Sequence, residues 1–152
     1  MRSALELAKQ ARDSGEVPVG AIVVVGDETV GRGRNSPIAL GDPTAHAEIL
    51  ALREAAARIG NYRLSGATLY CSVEPCLMCL GAMLHARIER LVYAAPDPKV
   101  SATAMLASLG DLGADFNHGF EIRGGVLARE ASDLLVDFFR ARRAEPGRET
   151  LE

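Results

Sequence analysis

Apolar residues recur at Ala4, Leu5, Ala8 and Ala11, the spacing of one helix face, and predict a helix from Arg2 to Ser14 that Gly15 stops. The period then changes. Val19 to Val25 is a run of small and β-branched residues ending at Gly26-Asp27, with Thr29 to Arg34 as its hairpin partner. Pro37, Gly41 and Pro43 break the pattern, so Asn35 to Asp42 reads as a loop. Helical spacing returns at Ile49, Leu50, Leu52 and Ala56, predicting a helix with Thr44 as N-cap that reaches Ile59 and ends at Gly60. Thr68 to Val73 reads as a buried strand. Pro75 suits the first turn of a helix from Cys76 to about His85. Beyond it come a short strand at Arg90 to Ala95, a loop from Pro96 to Thr103 and a brief helix at Ala104 to Leu109. A weak strand at Phe120 to Arg123, closed by Gly124-Gly125, precedes a last helix from Leu127 to Arg143. Strands alternating with helices after an initial hairpin point to an α/β fold, a central sheet covered by helices on both faces.

Composition adds limits. A chain of 152 residues fits one domain, here expected over residues 1–144 with a frayed tail at 145–152, and can bury roughly two thirds of its unfolded surface. An apolar content of 48% with 24% charged is ordinary for a globular protein. Nothing approaches the roughly twenty apolar residues of a membrane span, and the polar, helical start does not read as a signal peptide. Three cysteines, two of them in a Cys-x-x-Cys, argue for a reducing, cytoplasmic setting and a metal rather than a disulfide framework. The net charge of −3 gives no bulk attraction to phosphate, so nucleic-acid binding needs a local patch. Arg140, Arg142 and Arg143, with Arg148 further on, are the candidates, although a helix end also collects cations through its dipole.

The chemistry lies in two stretches about thirty residues apart, Thr44-Ala45-His46-Ala47-Glu48 and Ser72-Val73-Glu74-Pro75-Cys76-Leu77-Met78-Cys79. Cys76 and Cys79, three apart at a helix opening, can grip one ion, and the positive end of the helix favours thiolates there. His46 opens the preceding helix. One imidazole, two thiolates and an open position are what catalytic zinc needs, whereas structural zinc takes four protein ligands. Glu48, two residues from His46, has the wrong offset to be a second ligand on that face. It stands instead beside the open position, where a carboxylate can take and return protons. A lone Cys-x-x-Cys is often a redox pair or half a structural zinc site, but no second Cys-x-x-Cys or His pair completes one. Cys71 reads as a buried strand residue, and His85 and His118 as structural histidines.

His46-Ala47-Glu48 with Pro75-Cys76-Leu77-Met78-Cys79 resembles the zinc-dependent nucleoside and nucleobase deaminases. Glu16-Val17-Pro18-Val19-Gly20-Ala21, Asp42-Pro43-Thr44-Ala45-His46-Ala47-Glu48, Asn61-Tyr62-Arg63-Leu64, Phe116-Asn117-His118 and Asp137-Phe138-Phe139-Arg140 extend the likeness across nearly the whole chain, to the bacterial tRNA adenosine deaminases (TadA family). The resemblance implies a three-layer α/β/α cytidine deaminase-like fold with a mixed five-stranded sheet, and a homodimer. It implies one Zn2+ per subunit on His46, Cys76 and Cys79, and conversion of the wobble adenosine of a tRNA anticodon stem-loop to inosine. Glu48 would take a proton from water, pass it to the ring nitrogen and assist loss of ammonia. Asn35 would hold the flipped base or its ribose, the backbone at Ala47 would contact the base, Asp97 would meet a neighbouring ribose or backbone, and Phe139 would line the anticodon pocket. Read without the likeness, Asn35 is a turn residue and both phenylalanines are core.

The chain departs from the family where a Gly-rich loop usually follows Asp-x-Lys. Here Asp97-Pro98-Lys99-Val100-Ser101-Ala102-Thr103-Ala104 has no glycine, which restricts the backbone, and Pro96 replaces a position that is often Arg. The start also lacks the aromatic turn that many members carry. Two other readings stand beside the tRNA enzyme: a deaminase of free guanine, cytosine or a nucleoside on the same fold, and a zinc-stabilised binding module without turnover. Glu48 argues against the module, since a structural site has no use for a carboxylate there. The helix from Cys76 to His85 is more apolar than one buried face requires, so part of it is expected to pack on a second subunit.

Overall fold

Alternation of glycine and arginine in Gly31-Arg32-Gly33-Arg34 decides how closely the central helix can approach the sheet. The computed structural model describes residues 1–97, 99, 101–111 and 117–144. Helix α1 (Arg2–Asp13) leads into the hairpin β1 (Gly20–Val25) and β2 (Glu28–Arg34), then a single helical turn α2 (Pro37–Leu40) and helix α3 (Ala47–Ile59). Strand β3 (Ala67–Val73), helix α4 (Leu77–Ala86) and strand β4 (Arg90–Ala95) follow. The chain continues through α5 (Ala102–Asp111), β5 (Glu121–Arg123) and α6 (Ala128–Ala144).

The five strands form one mixed sheet in the order β2-β1-β3-β4-β5. Strand β1 runs antiparallel to both β2 and β3, while β3, β4 and β5 are parallel. Parallel neighbours require a crossover, and α4 supplies the one between β3 and β4. On one face Ala67, Leu69 and Cys71 of β3 and Leu91 of β4 pack with Ala51, Leu52 and Ala55 of α3 and Leu80 and Met83 of α4. On the other, Ala94 meets Leu5 of α1 and Ala131 of α6, with Ala95 joining that cluster at the strand end. This is the three-layer α/β/α arrangement expected. Among the described residues no helix is long and apolar enough to cross a membrane.

The close approach of α3 to β2 depends on the two glycines. A Cβ at Gly33 would lie 2.0 Å from the Ala47 carbonyl oxygen, and one at Gly31 2.2 Å from that of Ala51. Backbone cannot yield as a flexible side chain can. Gly33→Ala is therefore expected to lower stability by about 3 kcal/mol through overpacking, read as a lower urea midpoint. An unchanged midpoint would mean that α3 can lift from the sheet freely.

Several boundaries differ from those expected. Thr44 does not cap α3: its N–H and hydroxyl both bond Asp42 Oδ1, at 2.8 and 2.7 Å, in a tight Asx turn. The N-cap is His46, extended at φ −70° and ψ 150°, whose carbonyl accepts the Leu50 N–H. Cys76 likewise is the N-cap of α4 rather than its first helical residue, and Pro75 precedes the cap. The segment read as loop from Asn35 to Asp42 contains α2, with Pro37 at its first position and Gly41 left-handed at its end. The brief helix at Ala104 to Leu109 is longer, starting at Ala102. Residues 145–152 lie outside the described residues, as do Pro98, Val100, Phe116 and Arg148.

Candidate metal centre

The two helices that carry the motifs both open at a donor. His46 and Cys76 occupy the N-caps of α3 and α4, and neither side chain bonds the backbone amides of its own first turn. Cys79 sits three residues into α4, so Cys76 and Cys79 face the same way from a helix mouth. Because β3 feeds α4 directly, the site lies at the carboxyl end of a parallel strand, where α/β sheets commonly bind their ligands. Two positive helix ends converge on it.

The donors form a nearly equilateral triangle. His46 Nδ1 is 3.6 Å from both Cys76 Sγ and Cys79 Sγ, and the two sulfurs are 3.7 Å apart. A tetrahedral zinc with bonds of about 2.3 Å to sulfur and about 2.0 Å to nitrogen sets S···N at about 3.5 Å and S···S at about 3.8 Å. The observed edges of 3.6 and 3.7 Å lie within about 0.1 Å of these. Among the described residues these three are the group of His, Cys, Asp or Glu close enough to share an ion. Glu48 is outside it.

Electrostatics agree with this. The Cys76 thiol, held by its hydrogen bonds with Cys79 and then His46, is pulled down to about 4, so a thiolate stands ready at neutral pH. Cys79 pairs with it and is pushed up, as is His46 through its bond to Cys76. Metal uptake must therefore displace protons, and binding weakens as pH falls. Glu48, 3% exposed, is pushed up chiefly by burial, with His46 and Cys76 among the charges that act on it.

Two neighbours were given no chemical role by the sequence. Cys71 is buried in β3; burial and then the nearby Glu48 charge hold its thiol well above the usual range. Glu74, 4% exposed, faces the loop after β4. A carboxylate between a strand and Pro75 was the only available hint, since all its partners lie more than twenty residues away.

The remaining expected residues are distributed unevenly. Asn35 follows β2 and is 8% exposed, its N–H bonded to Val19 O, while Ser36 N–H reaches Ala45 O beside His46. Ala47 is buried at the first turn of α3. Asp97 follows β4 and donates its N–H to Glu74 Oε2 at 3.0 Å, one residue before Pro75-Cys76. Backbone bonds thus tie the segments after Asn35 and at Asp97 to residues near His46 and Cys76 in the chain, and Ala47 follows His46 directly. They do not draw Phe139 there: it is 42% exposed on α6, stacked edge-on against Phe138, which alone of the two is core at 7%. Arg140 pairs with Asp137, and Arg142 covers the Phe138 ring. His118 bonds Ile88 O at 2.6 Å and His85 is exposed, so both remain outside the site.

Residues 1–95 match the family model described as the cytidine and deoxycytidylate deaminase zinc-binding region. A tRNA-specific adenosine deaminase of Haemophilus influenzae is 50% identical over 148 residues, covering 95% of this chain and 84% of that one. The solved structure of a tRNA:A34 deaminase, which carries out A-to-I editing at the wobble position of transfer RNA, superposes with a TM-score of 0.82. It is 38% identical, and the match covers 89% of this chain and 97% of that one. A guanine deaminase from Nitrosomonas europaea superposes at 0.73 with 26% identity, over 90% and 81% of the two chains.

Proposed function

This chain belongs to the cytidine and deoxycytidylate deaminase family, and on that premise we propose that it hydrolyses adenosine to inosine at the wobble position of a tRNA anticodon loop. The observation that carries the reading is a zinc-sized donor triangle with a buried, non-ligating carboxylate beside it. It occurs in a chain half identical to a tRNA-specific adenosine deaminase.

In this reading His46 Nδ1, Cys76 Sγ and Cys79 Sγ hold the zinc. When bound, the metal supplies Lewis acidity that makes water a nucleophile near neutral pH. Glu48 accepts a proton from the attacking water and delivers it to N1 of the adenine ring. It then takes the remaining proton of the oxygen added at C6 and passes it to the amino group, which leaves as ammonia while that oxygen becomes the carbonyl. Burial equips it for that work, since a carboxyl with a raised pKa can hold a proton midway through the reaction. Asn35, the backbone at Ala47 and Asp97 would hold the flipped nucleotide, and Phe139 would contact the stem-loop from α6. Residues 1–144 would act as one deaminase domain, in the cytoplasm where its substrate is found.

A second reading, a deaminase of free guanine or a related base, is favoured by the guanine deaminase likeness and by the glycine-free stretch from Asp97. The discriminating experiment offers the enzyme an anticodon stem-loop with a wobble adenosine, and free guanine, cytosine and adenosine in parallel. Inosine in the stem-loop is expected; ammonia from a free base alone would transfer the activity to the second reading.

The protein would work as a homodimer. Leu77 and Met78 on α4 are 48% and 38% exposed, and Tyr62 nearby in sequence to the α3 end is 63% exposed, apolar surface that a second copy would cover. Light scattering at micromolar concentration should give twice the mass of the chain; a monomer would remove the dimer from this reading.

A further inference from the structure

The carboxylate of Glu74 gathers four donors from one short stretch of chain. Oε2 accepts the Asp97 N–H at 3.0 Å. Oε1 accepts the Ser101 hydroxyl at 2.8 Å, the Thr103 N–H at 3.1 Å and the Thr103 hydroxyl at 2.5 Å. Ser101 Oγ in turn accepts the Ala104 N–H at 3.3 Å. These last groups open α5, so the negative charge also sits at the positive end of a helix of ten residues. The backbone of Glu74 is anchored too, its N–H bonded to Ala95 O at 2.8 Å.

The place of this cluster gives it meaning. β3 and β4 are parallel neighbours, so their carboxyl ends lie on the same edge of the sheet. β3 leads through Glu74 and Pro75 to the metal donor Cys76, and β4 leads through Pro96 to Asp97. Glu74 is the bond between those two exits. A side chain committed only to stability has no need to collect four donors from the stretch that follows β4, nor to do so from the residue next but one to a metal donor. The stretch from Asp97 to Ala104 contains no glycine, which limits the shapes it can take, and the carboxylate selects one of them.

We propose that Glu74 is a positioning residue that ties Asp97, Ser101 and Thr103 into a fixed rim beside the metal centre, and that this rim engages the nucleotide adjoining the reacting base. The inference rests on the deaminase reading above. Loss of the clamp weakens substrate capture and spares the chemical step, because Glu48 and the donor triangle do not depend on it.

The test compares the wild type with Glu74→Gln, Thr103→Val and Thr103→Ser as zinc-loaded proteins. Thr103→Val leaves the metal motif untouched and keeps the side-chain shape, so it stands in if Glu74→Gln folds poorly. Two measurements are made: amide hydrogen exchange at Asp97 and Thr103, and steady-state kinetics on the substrate the wild type turns over. Faster exchange at both amides is expected for Glu74→Gln, with KM raised about tenfold, the consequence of weakening charge-assisted hydrogen bonds, and kcat and zinc content near wild type. Thr103→Val should shift KM in the same direction, and Thr103→Ser, which restores the hydroxyl, should return it. Unchanged exchange overturns the clamp. Faster exchange with unchanged KM overturns the positioning role, and so does a fall in kcat without a change in KM. Failure of the wild type on a stem-loop would sink the tRNA reading instead, and the exchange data would still decide whether Glu74 holds the rim.

Discussion

Glu48→Ala is expected to lower kcat by about three orders of magnitude, the scale of a lost general acid–base, while zinc content and fold stay as in the wild type. The carboxylate lies outside the donor triangle yet inside the protein, 3% exposed at the first turn of α3. Metal retention with loss of turnover is the signature of a proton carrier rather than a ligand. Turnover near the wild-type rate would remove Glu48 from the mechanism. The isosteric Glu48→Gln adds a thermodynamic check on metal-free protein. Burial raises the folded pKa of Glu48 above its unfolded value, so the stability this group contributes is complete below the unfolded carboxylate range. It is lost as pH rises through the folded value. Glutamine has no such loss. The variant should therefore gain melting temperature relative to wild type as pH rises above the carboxylate range, and a gap that does not widen with pH would mean that Glu48 is solvated.

Cys76→Ala is expected to abolish metal binding and activity together. Removing one corner of a triangle with 3.6 and 3.7 Å edges leaves two protein donors where catalytic zinc needs three. It also removes the thiolate whose pKa, about 4, makes it the donor available without displacing a proton. The stability consequence can be measured separately. A ligand present at a thousand times its Kd stabilises the folded state by about 4 kcal/mol, so a chelator should lower the melting temperature of the wild type and leave Cys76→Ala unmoved. Cys71→Ala is the control: its thiol is buried in β3 outside the donor group, and zinc content should persist. Full metal occupancy in Cys76→Ala would break the ligand assignment.

The donor set was legible because each of its two motifs, His46-Ala47-Glu48 and Cys76-Leu77-Met78-Cys79, is local. Two residues separate Cys76 from Cys79 at one helix mouth, and Pro75 and the strand before it announce where that helix begins. The strands and the longer helices were legible for the same reason, periodicity over enough residues to be read. What escaped depended on partners distant in sequence. Glu74 looks like any acid before a proline until Asp97, Ser101 and Thr103 are brought to it. Thr44 is a good N-cap by type, but Asp42 two residues earlier captures both of its donors, and the cap moves on to His46. α2 is a single turn with no buried residue, too short to show a period between Pro37 and Gly41. Adjacent Phe138 and Phe139 cannot both face the sheet, yet nothing in the pair says which one turns away. Gly31 and Gly33 read as strand glycines, and only the helix lying against them explains why a side chain is excluded.

The most direct test of the account is to incubate the purified zinc-loaded protein with a tRNA bearing a wobble adenosine in isotopically labelled water, and to analyse the anticodon nucleosides by mass. The account predicts inosine at that position alone, carrying one solvent oxygen and accompanied by an equivalent of ammonia, and no such product from Glu48→Ala. An anticodon left as adenosine by metal-replete protein, or inosine without solvent oxygen, would contradict it.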